Sequence, residues 1–156
     1  MNNDNPVGAA LDYLYWWTIY FSVSIGNYVS FVRIGNLLHL SGHIPATENG
    51  LIKGKLGSTL SVEEGYKSAK TCAINILATL QEELGTLDNV KQIVKIVGFV
   101  ACTDNFEQQP SVINGASDFF VEVFGEKGNH ARSAVGTNAL PLGIATEVEC
   151  IVEIEC

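Results

Sequence analysis

Apolar and β-branched runs, separated by turn residues, predict five strands and two helices in the order ββ-α-β-α-ββ. Residues 28–34 and 37–41 flank Gly35-Asn36, and such a two-residue Gly-Asn turn is typical of a β-hairpin. Residues 45–60 are rich in Gly, Thr and Asn and predict a loop, with a short strand near Leu51. Residues 90–103 are dense in Val and Ile, which indicates a central strand.

Two amphipathic helices are predicted from their ends and their apolar stripes. Ser61 and Glu64 match a capping box, and Gly85 stands where the first helix should end. Pro110 suits the first turn of the second helix, after a start or turn at residues 104–105, and Gly125 ends it. The stripes recur every three or four residues, at Tyr66, Ala69, Ala73, Ile76, Leu80 and Leu84, and at Ile113, Ala116, Phe120 and Val123.

The last two strands, at 131–135 and 144–154, carry the first candidate chemistry. Residues 144–154 alternate between a mainly apolar side and a mainly acidic side. The first side has Ile144, Thr146, Val148, Cys150, Val152 and Ile154, and the second has Ala145, Glu147, Glu149, Ile151 and Glu153. Glu147 lies at the entry of this strand, near the place where the preceding strand is expected to bring Arg132. A structural ion pair between the two is the alternative interpretation.

Two helices on one face of a mostly antiparallel sheet is the architecture that the predicted element order favours.

Length indicates one α+β domain, at residues 26–156, preceded by an arm at residues 1–25. The chain has 156 residues, enough for one buried core. Residues 13–25 are uncharged and aromatic, but thirteen residues are too few for a helix that crosses a bilayer. They also lack the basic flank of a signal peptide, so we expect either a packing arm or a poorly ordered leader, and no membrane partner.

Charge and composition limit the possible partners. Nine Lys and Arg oppose seventeen Asp and Glu, giving a net charge of −8 that repels phosphate backbones and disfavours a nucleic-acid partner. The histidines at 39, 43 and 130 lack metal-ligand spacing, and no cofactor motif is present, so neither a metal nor a cofactor is expected. The four cysteines have no C-x-x-C spacing, which favours reduced thiols in a cytoplasmic protein.

The turn after the first hairpin is the second candidate for chemistry. A hydroxyl from Ser41 and an amide from Gly42, where the strand ends, can both donate to an anion. An ordinary strand exit explains the same residues when they are taken alone.

Together these segments resemble the RidA/YjgF family of reactive-intermediate deaminases, in the family's order from residue 26 to the C-terminus. The segments are Gly26-Asn27-Tyr28, Gly35-Asn36-Leu37, Leu40-Ser41-Gly42-His43-Ile44-Pro45, His130-Ala131-Arg132-Ser133, Leu140-Pro141 and Glu147-Val148-Glu149.

The resemblance implies a chorismate-mutase-like α+β fold and a homotrimer with a ligand site in each cleft between subunits. Family members of the better-known kind hydrolyse enamines and imines to 2-keto acids and ammonia without a metal or cofactor. By position, Arg132 resembles the arginine that binds the substrate carboxylate, and Glu147 resembles the acid that activates water. Further binding residues implied by position are Tyr28, Ser41, Gly42 and Asn114.

The chain departs from this pattern at one position near the arginine. Ala134 stands where deaminase members often have cysteine, and the surrounding sequence is more similar to a less-studied branch. A non-catalytic protein that binds a 2-keto acid or another small carboxylate is therefore the alternative to a deaminase. Some members are called endoribonucleases, an activity that the net charge of −8 disfavours here.

Overall fold

The computed structural model describes residues 26–155, which form a five-stranded sheet with two long helices packed on one of its faces. The predicted arm at residues 1–25 lies outside the described residues. In chain order the elements are β1 (Phe31–Ile34), β2 (Leu37–His43), β3 (Ala46–Thr47), β4 (Gly50–Leu51), α1 (Val62–Leu84), β5 (Val90–Ala101), α2 (Gln109–Phe124), β6 (Ala131–Thr137) and β7 (Thr146–Ile154).

The large sheet has the order β1-β2-β7-β5-β6, and β3 pairs only with β4 in a small ribbon. Every pair in the large sheet is antiparallel except β5 and β6, which are parallel. The chain runs from β5 through α2 to β6, and such a helical crossover returns the chain parallel to the strand it left. As a result β6 is an edge strand beside β5, and β7 is the central strand.

Local signals account for both helices, and their predicted ends are confirmed. The Ser61 hydroxyl accepts from the Glu64 amide at 3.2 Å, while the Glu64 carboxylate accepts from the Ser61 amide at 2.8 Å. Gly85 ends α1 with a φ of 74°, a left-handed conformation that glycine adopts at low cost. Pro110 occupies the first turn of α2, where no helical hydrogen bond is lost.

The sheet has a helix face, against which α1 and α2 pack, and an open face on the other side. The predicted alternation in β7 is confirmed, because the side chains of the buried set lie on the helix face. The two helices cross closely at Gly115, where an added Cβ would lie 2.0 Å from the Tyr66 carbonyl oxygen. The β7 residues in the core are Val148, Cys150, Val152 and Ile154, with Thr146 buried at the start of the strand.

Apolar side chains also occupy the open face, which has no helix over it in residues 26–155. Val32 is 52% exposed, Ile34 is 62% exposed and Val135 is 44% exposed. A depression of about 230 Å³ on this face is lined in part by Lys95 and Glu149. Neither helix in the described part of the chain is long and apolar enough to span a lipid bilayer.

Candidate functional site

The guanidinium of Arg132 is held at the edge of the sheet by helix α2. Arg132 is exposed and pairs in register with the buried Ile96, which places its side chain on the helix face. Its Nη1 donates to the Asn114 side-chain oxygen at 2.7 Å and to the Ser117 hydroxyl at 3.0 Å. The structure therefore brings together Arg132 and Asn114, two residues that the sequence selected separately.

Sequence reasoning missed two further members of this cluster, Ser117 and His130. Ser117 Oγ lies 3.0 Å from His130 Nε2, and His130 Nδ1 lies 2.6 Å from the Gly128 carbonyl oxygen. Burial lowers the pKa of His130, and the charge of Arg132 acts in the same direction. Spacing offered a signal, since Asn114 and Ser117 are three residues apart on one helix and His130 stands two residues before Arg132.

A second cluster forms on the open face, where β2 passes Glu147. Between Leu40 and His43, β2 advances three residues while β7 advances two, from Cys150 to Val148. The extra residue makes a β-bulge. At the bulge, a Cβ added to Gly42 would lie 1.9 Å from Glu147 Oε1, so only glycine leaves room for this carboxylate.

Glu147 is half-buried, and its surroundings favour the protonated form. Burial raises the pKa of its carboxyl group, and the negative charge of Glu149 on the same strand face raises it further. A carboxyl group whose pKa is moved towards neutrality exchanges protons more readily at physiological pH than an ordinary glutamate.

The segment that leads into β1 carries Tyr28 and accepts two hydrogen bonds from Ser41. The Ser41 hydroxyl donates to the Val29 carbonyl at 2.7 Å, and the Ser41 amide donates to the Ser30 carbonyl at 2.9 Å. The hydroxyl proton of Ser41 is therefore engaged within the chain rather than directed at an anion. Tyr28 is 55% exposed, and its ring carbon lies 3.1 Å from the position of a Cβ at Gly26.

His43 ties the bulge of β2 to helix α1. Its Nδ1 lies 2.8 Å from the Ser41 carbonyl oxygen, and its Nε2 lies 2.8 Å from the Thr79 hydroxyl. A carbonyl only accepts, so Nδ1 carries the proton and Nε2 accepts from Thr79. Desolvation lowers the pKa of His43 to about 4, and the ring is therefore neutral at physiological pH.

Within one chain, Arg132 and Glu147 do not meet, and the expectation that they lie on neighbouring strands is wrong. Strand β5 separates β6 from β7, because the α2 crossover places β6 parallel to β5. Glu147 pairs with Phe99 on the open face, whereas Arg132 pairs with Ile96 on the helix face. Among residues 26–155, no group of three or more His, Cys, Asp or Glu side chains lies close enough together to hold a metal ion.

Comparisons with known proteins agree with this fold. A family model described as "YjgF/chorismate mutase-like, putative endoribonuclease" matches residues 19–154. Protein TCP17 of Trypanosoma cruzi is 46% identical over 130 residues, which are 82% of this chain and 81% of that protein.

Two solved structures extend the similarity to almost the whole chain. The first is the protein Atu1372 of unknown function from Agrobacterium tumefaciens, with 37% identity, a TM-score of 0.86, and coverage of 98% of this chain and 95% of that one. The second is described as a "putative endoribonuclease" from Shewanella oneidensis, with 28% identity, a TM-score of 0.87, and coverage of 97% and 100%.

Proposed function

Since the chain belongs to the YjgF/chorismate mutase-like family, we propose that it hydrolyses small imines and enamines derived from amino acids to 2-keto acids and ammonia. The observation that carries the proposal is the exposed guanidinium of Arg132, fixed at the sheet edge by the two hydrogen bonds that it donates to α2. A guanidinium held in one orientation matches a planar carboxylate with two parallel hydrogen bonds. The substrates of this reaction all carry such a carboxylate.

Glu147 supplies the proton transfer that hydrolysis needs. Its carboxylate takes a proton from water while the water oxygen attacks the imine carbon and the C=N electron pair moves to nitrogen. The proton then passes to the nitrogen and gives a carbinolamine. Its hydroxyl proton moves to the nitrogen by way of the same carboxylate while the C=O bond of the 2-keto acid forms and the C–N bond breaks, so the nitrogen leaves as ammonia. The raised pKa of Glu147 suits a group that accepts and returns a proton near neutral pH.

The proposed site lies between two copies of the chain in a homotrimer. Arg132 and Glu147 face opposite sides of one sheet, so a second copy is needed to bring the two groups to one substrate. The exposed apolar side chains of Val32, Ile34 and Val135 support contact between copies through the open face.

We place the reaction in the cytoplasm. In the described part of the chain Cys72, Cys102 and Cys150 are buried free thiols, which suits a reducing compartment.

The proposal is tested by replacing each of the two central residues. We expect Arg132→Ala to lose both 2-keto acid binding and turnover, because loss of a bidentate charged contact inside the proposed cleft between subunits typically costs about 2–5 kcal/mol. Arg132→Lys should restore little, since the ammonium keeps the charge but lacks the planar fork. Glu147→Gln should keep binding and lose hydrolysis of freshly generated 2-aminoacrylate.

Matched controls are the exposed Arg33→Ala, on the hairpin, and the exposed Glu107→Gln, before α2. Both should behave as the parent protein. If the parent gives no acceleration over buffer but binds 2-keto acids through Arg132, the protein is a small-carboxylate binder and not a deaminase.

Binding of a small carboxylate without catalysis is the second candidate function. The hydrogen bonds that orient Arg132 involve Asn114, Ser117 and His130, and they do not require Glu147. Ribonuclease activity is disfavoured by the net charge of −8, which repels a polyanionic substrate.

A further inference from the structure

The contacts of Arg132 determine which edge of its guanidinium is left for a ligand. An arginine Nη1 carries two hydrogens, which is enough for one hydrogen bond to Asn114 and one to Ser117, the two acceptors within reach of Nη1 here. An end-on carboxylate requires Nη1 together with Nη2. With Nη1 occupied by α2, the bidentate edge that remains is the side formed by Nε and Nη2.

We propose that a substrate carboxylate binds side-on to Nε–H and Nη2–H of Arg132, and that Ser117 and His130 are the positioning residues that fix this orientation. The inference rests on the proposed function for the identity of the ligand. It concerns a different property, which is the direction of a hydrogen-bond chain already present in the free protein.

The direction of that chain follows from the partners at its far end. The Gly128 carbonyl only accepts, so His130 Nδ1 carries the ring proton and Nε2 is an acceptor. The Ser117 hydroxyl must then donate to His130, which leaves its oxygen lone pairs to accept from Arg132. All donors therefore point the same way along these hydrogen bonds: Arg132 donates to Ser117, Ser117 donates to His130, and His130 donates to the Gly128 carbonyl.

The far end of this hydrogen-bond chain, at Gly128 and His130, is held rigidly against α2. A Cβ added at Gly128 would lie 2.2 Å from the Phe120 carbonyl oxygen, so this backbone packs tightly on the helix. The Phe120 ring also contacts His130 edge to face, with ring centroids 6.1 Å apart. Because burial keeps the pKa of His130 below its ordinary value, the ring stays neutral and Nε2 stays an acceptor at neutral pH.

A positioning role predicts a loss of binding without a loss of chemistry. Ser117→Ala removes one of the two acceptors for Nη1, so the guanidinium can turn about its remaining bond to Asn114. The productive orientation is then populated for less of the time. Glu147, on the opposite face of the sheet, is left unchanged.

The test measures pyruvate binding by calorimetry and 2-aminoacrylate hydrolysis for four variants. Ser117→Ala and His130→Leu should each raise the pyruvate dissociation constant and KM by roughly tenfold, the effect of one hydrogen bond to a charged group, with kcat unchanged. Ser117→Thr keeps the hydroxyl and should restore binding. Ser111→Ala, an exposed serine on the same helix, is the matched control and should match the parent.

Two further results distinguish a chain from separate contacts. The double variant Ser117→Ala/His130→Leu should bind no more weakly than either single variant, because both break the same chain. Nitrogen-15 NMR of the ligand-free protein, with the signal assigned by its loss in His130→Leu, should show a protonated Nδ1 and an unprotonated Nε2.

Three results would overturn the inference. They are a double variant whose loss of binding is the sum of the two single losses, a protonated Nε2 of His130, and a fall in kcat with unchanged binding in Ser117→Ala. If the parent protein fails to bind pyruvate, the proposed function is contradicted. The hydrogen-bond chain is still tested in that case, because the NMR measurement requires no ligand.

Discussion

Glu147 keeps its position beside the bulge of β2 because residue 42 has no side chain. The Cβ of any other residue at this position would lie within 3.0 Å of three atoms of the Glu147 side chain. The atoms approached most closely are at the carboxylate end, which can swing away without unfolding the protein. A substitution at Gly42 therefore separates the placement of Glu147 from the stability of the fold.

We expect Gly42→Ala to fold normally and to lose most of the hydrolysis of 2-aminoacrylate, because the carboxylate is displaced from its site. Its free energy of unfolding should fall by about 1–3 kcal/mol, the usual cost of an overpacked contact. In a Glu147→Ala background the three close atoms are gone, so Gly42→Ala should then cost much less. An equal cost in both backgrounds, measured by urea unfolding, would show that the contact with Glu147 is not what requires glycine.

At the residue scale, the sequence identified Gly42 and Glu147 separately but not their contact. The contact depends on one extra residue in β2, and the pattern of apolar positions gives no sign of where a bulge falls. In the same way, spacing places Ser117 one helical turn from Asn114 and His130 close to Arg132, but the contacts among them depend on how α2 packs against β6.

At the element scale, His43 makes the link between β2 and α1 sensitive to pH. Its pKa of about 4 in the folded protein lies below the ordinary value of 6.5. Between these values the unfolded chain takes up a proton that the folded chain refuses. The contribution of the neutral His43 to the free energy of unfolding is therefore present above pH 6.5, and it is lost as the pH falls from 6.5 towards 4.

We expect this group to remove about 2–3 kcal/mol of stability between pH 7 and pH 4. Comparison of the parent with His43→Gln by urea unfolding isolates the effect, because the other titrating groups are common to both. The difference in unfolding free energy should change in favour of the variant as the pH falls. Thr79→Ser keeps the hydroxyl beside Nε2 and should retain the slope of the parent. A parent and a His43→Gln variant with parallel pH profiles would contradict the assignment.

At the element scale, the sequence was sufficient to predict the helices but not the pairing of every strand. Both helices were predicted because a capping box, a terminal glycine and an apolar stripe are local signals. The two-stranded ribbon β3–β4 was predicted only as a loop with a short strand. The pairing of β6 with β5 was missed, because strand order depends on the crossover through α2 and not on the composition of β6.

At the scale of the whole molecule, the sheet order separates the two proposed functional groups. Arg132 lies on the helix face of an edge strand, and Glu147 lies on the open face of the central strand. Apolar side chains on that open face remain exposed in a single copy of the chain. Both features are explained if three copies associate and each cleft takes Arg132 from one copy and Glu147 from its neighbour. Sedimentation should then give a particle of three times the 16.8 kDa chain mass.

Subunit mixing tests this arrangement directly. Arg132→Ala and Glu147→Gln should each be inactive alone, but trimers refolded from an equal mixture should regain about one quarter of the parent activity, since about one cleft in four pairs an intact arginine with an intact glutamate. Mixing Arg132→Ala with the double variant Arg132→Ala/Glu147→Gln leaves no intact arginine and should remain inactive. Recovery in the first mixture alone requires that the two groups come from different subunits. If the mixture stays inactive although sedimentation shows mixed trimers, Arg132 and Glu147 do not share a cleft, and the proposed division of the site between subunits is wrong.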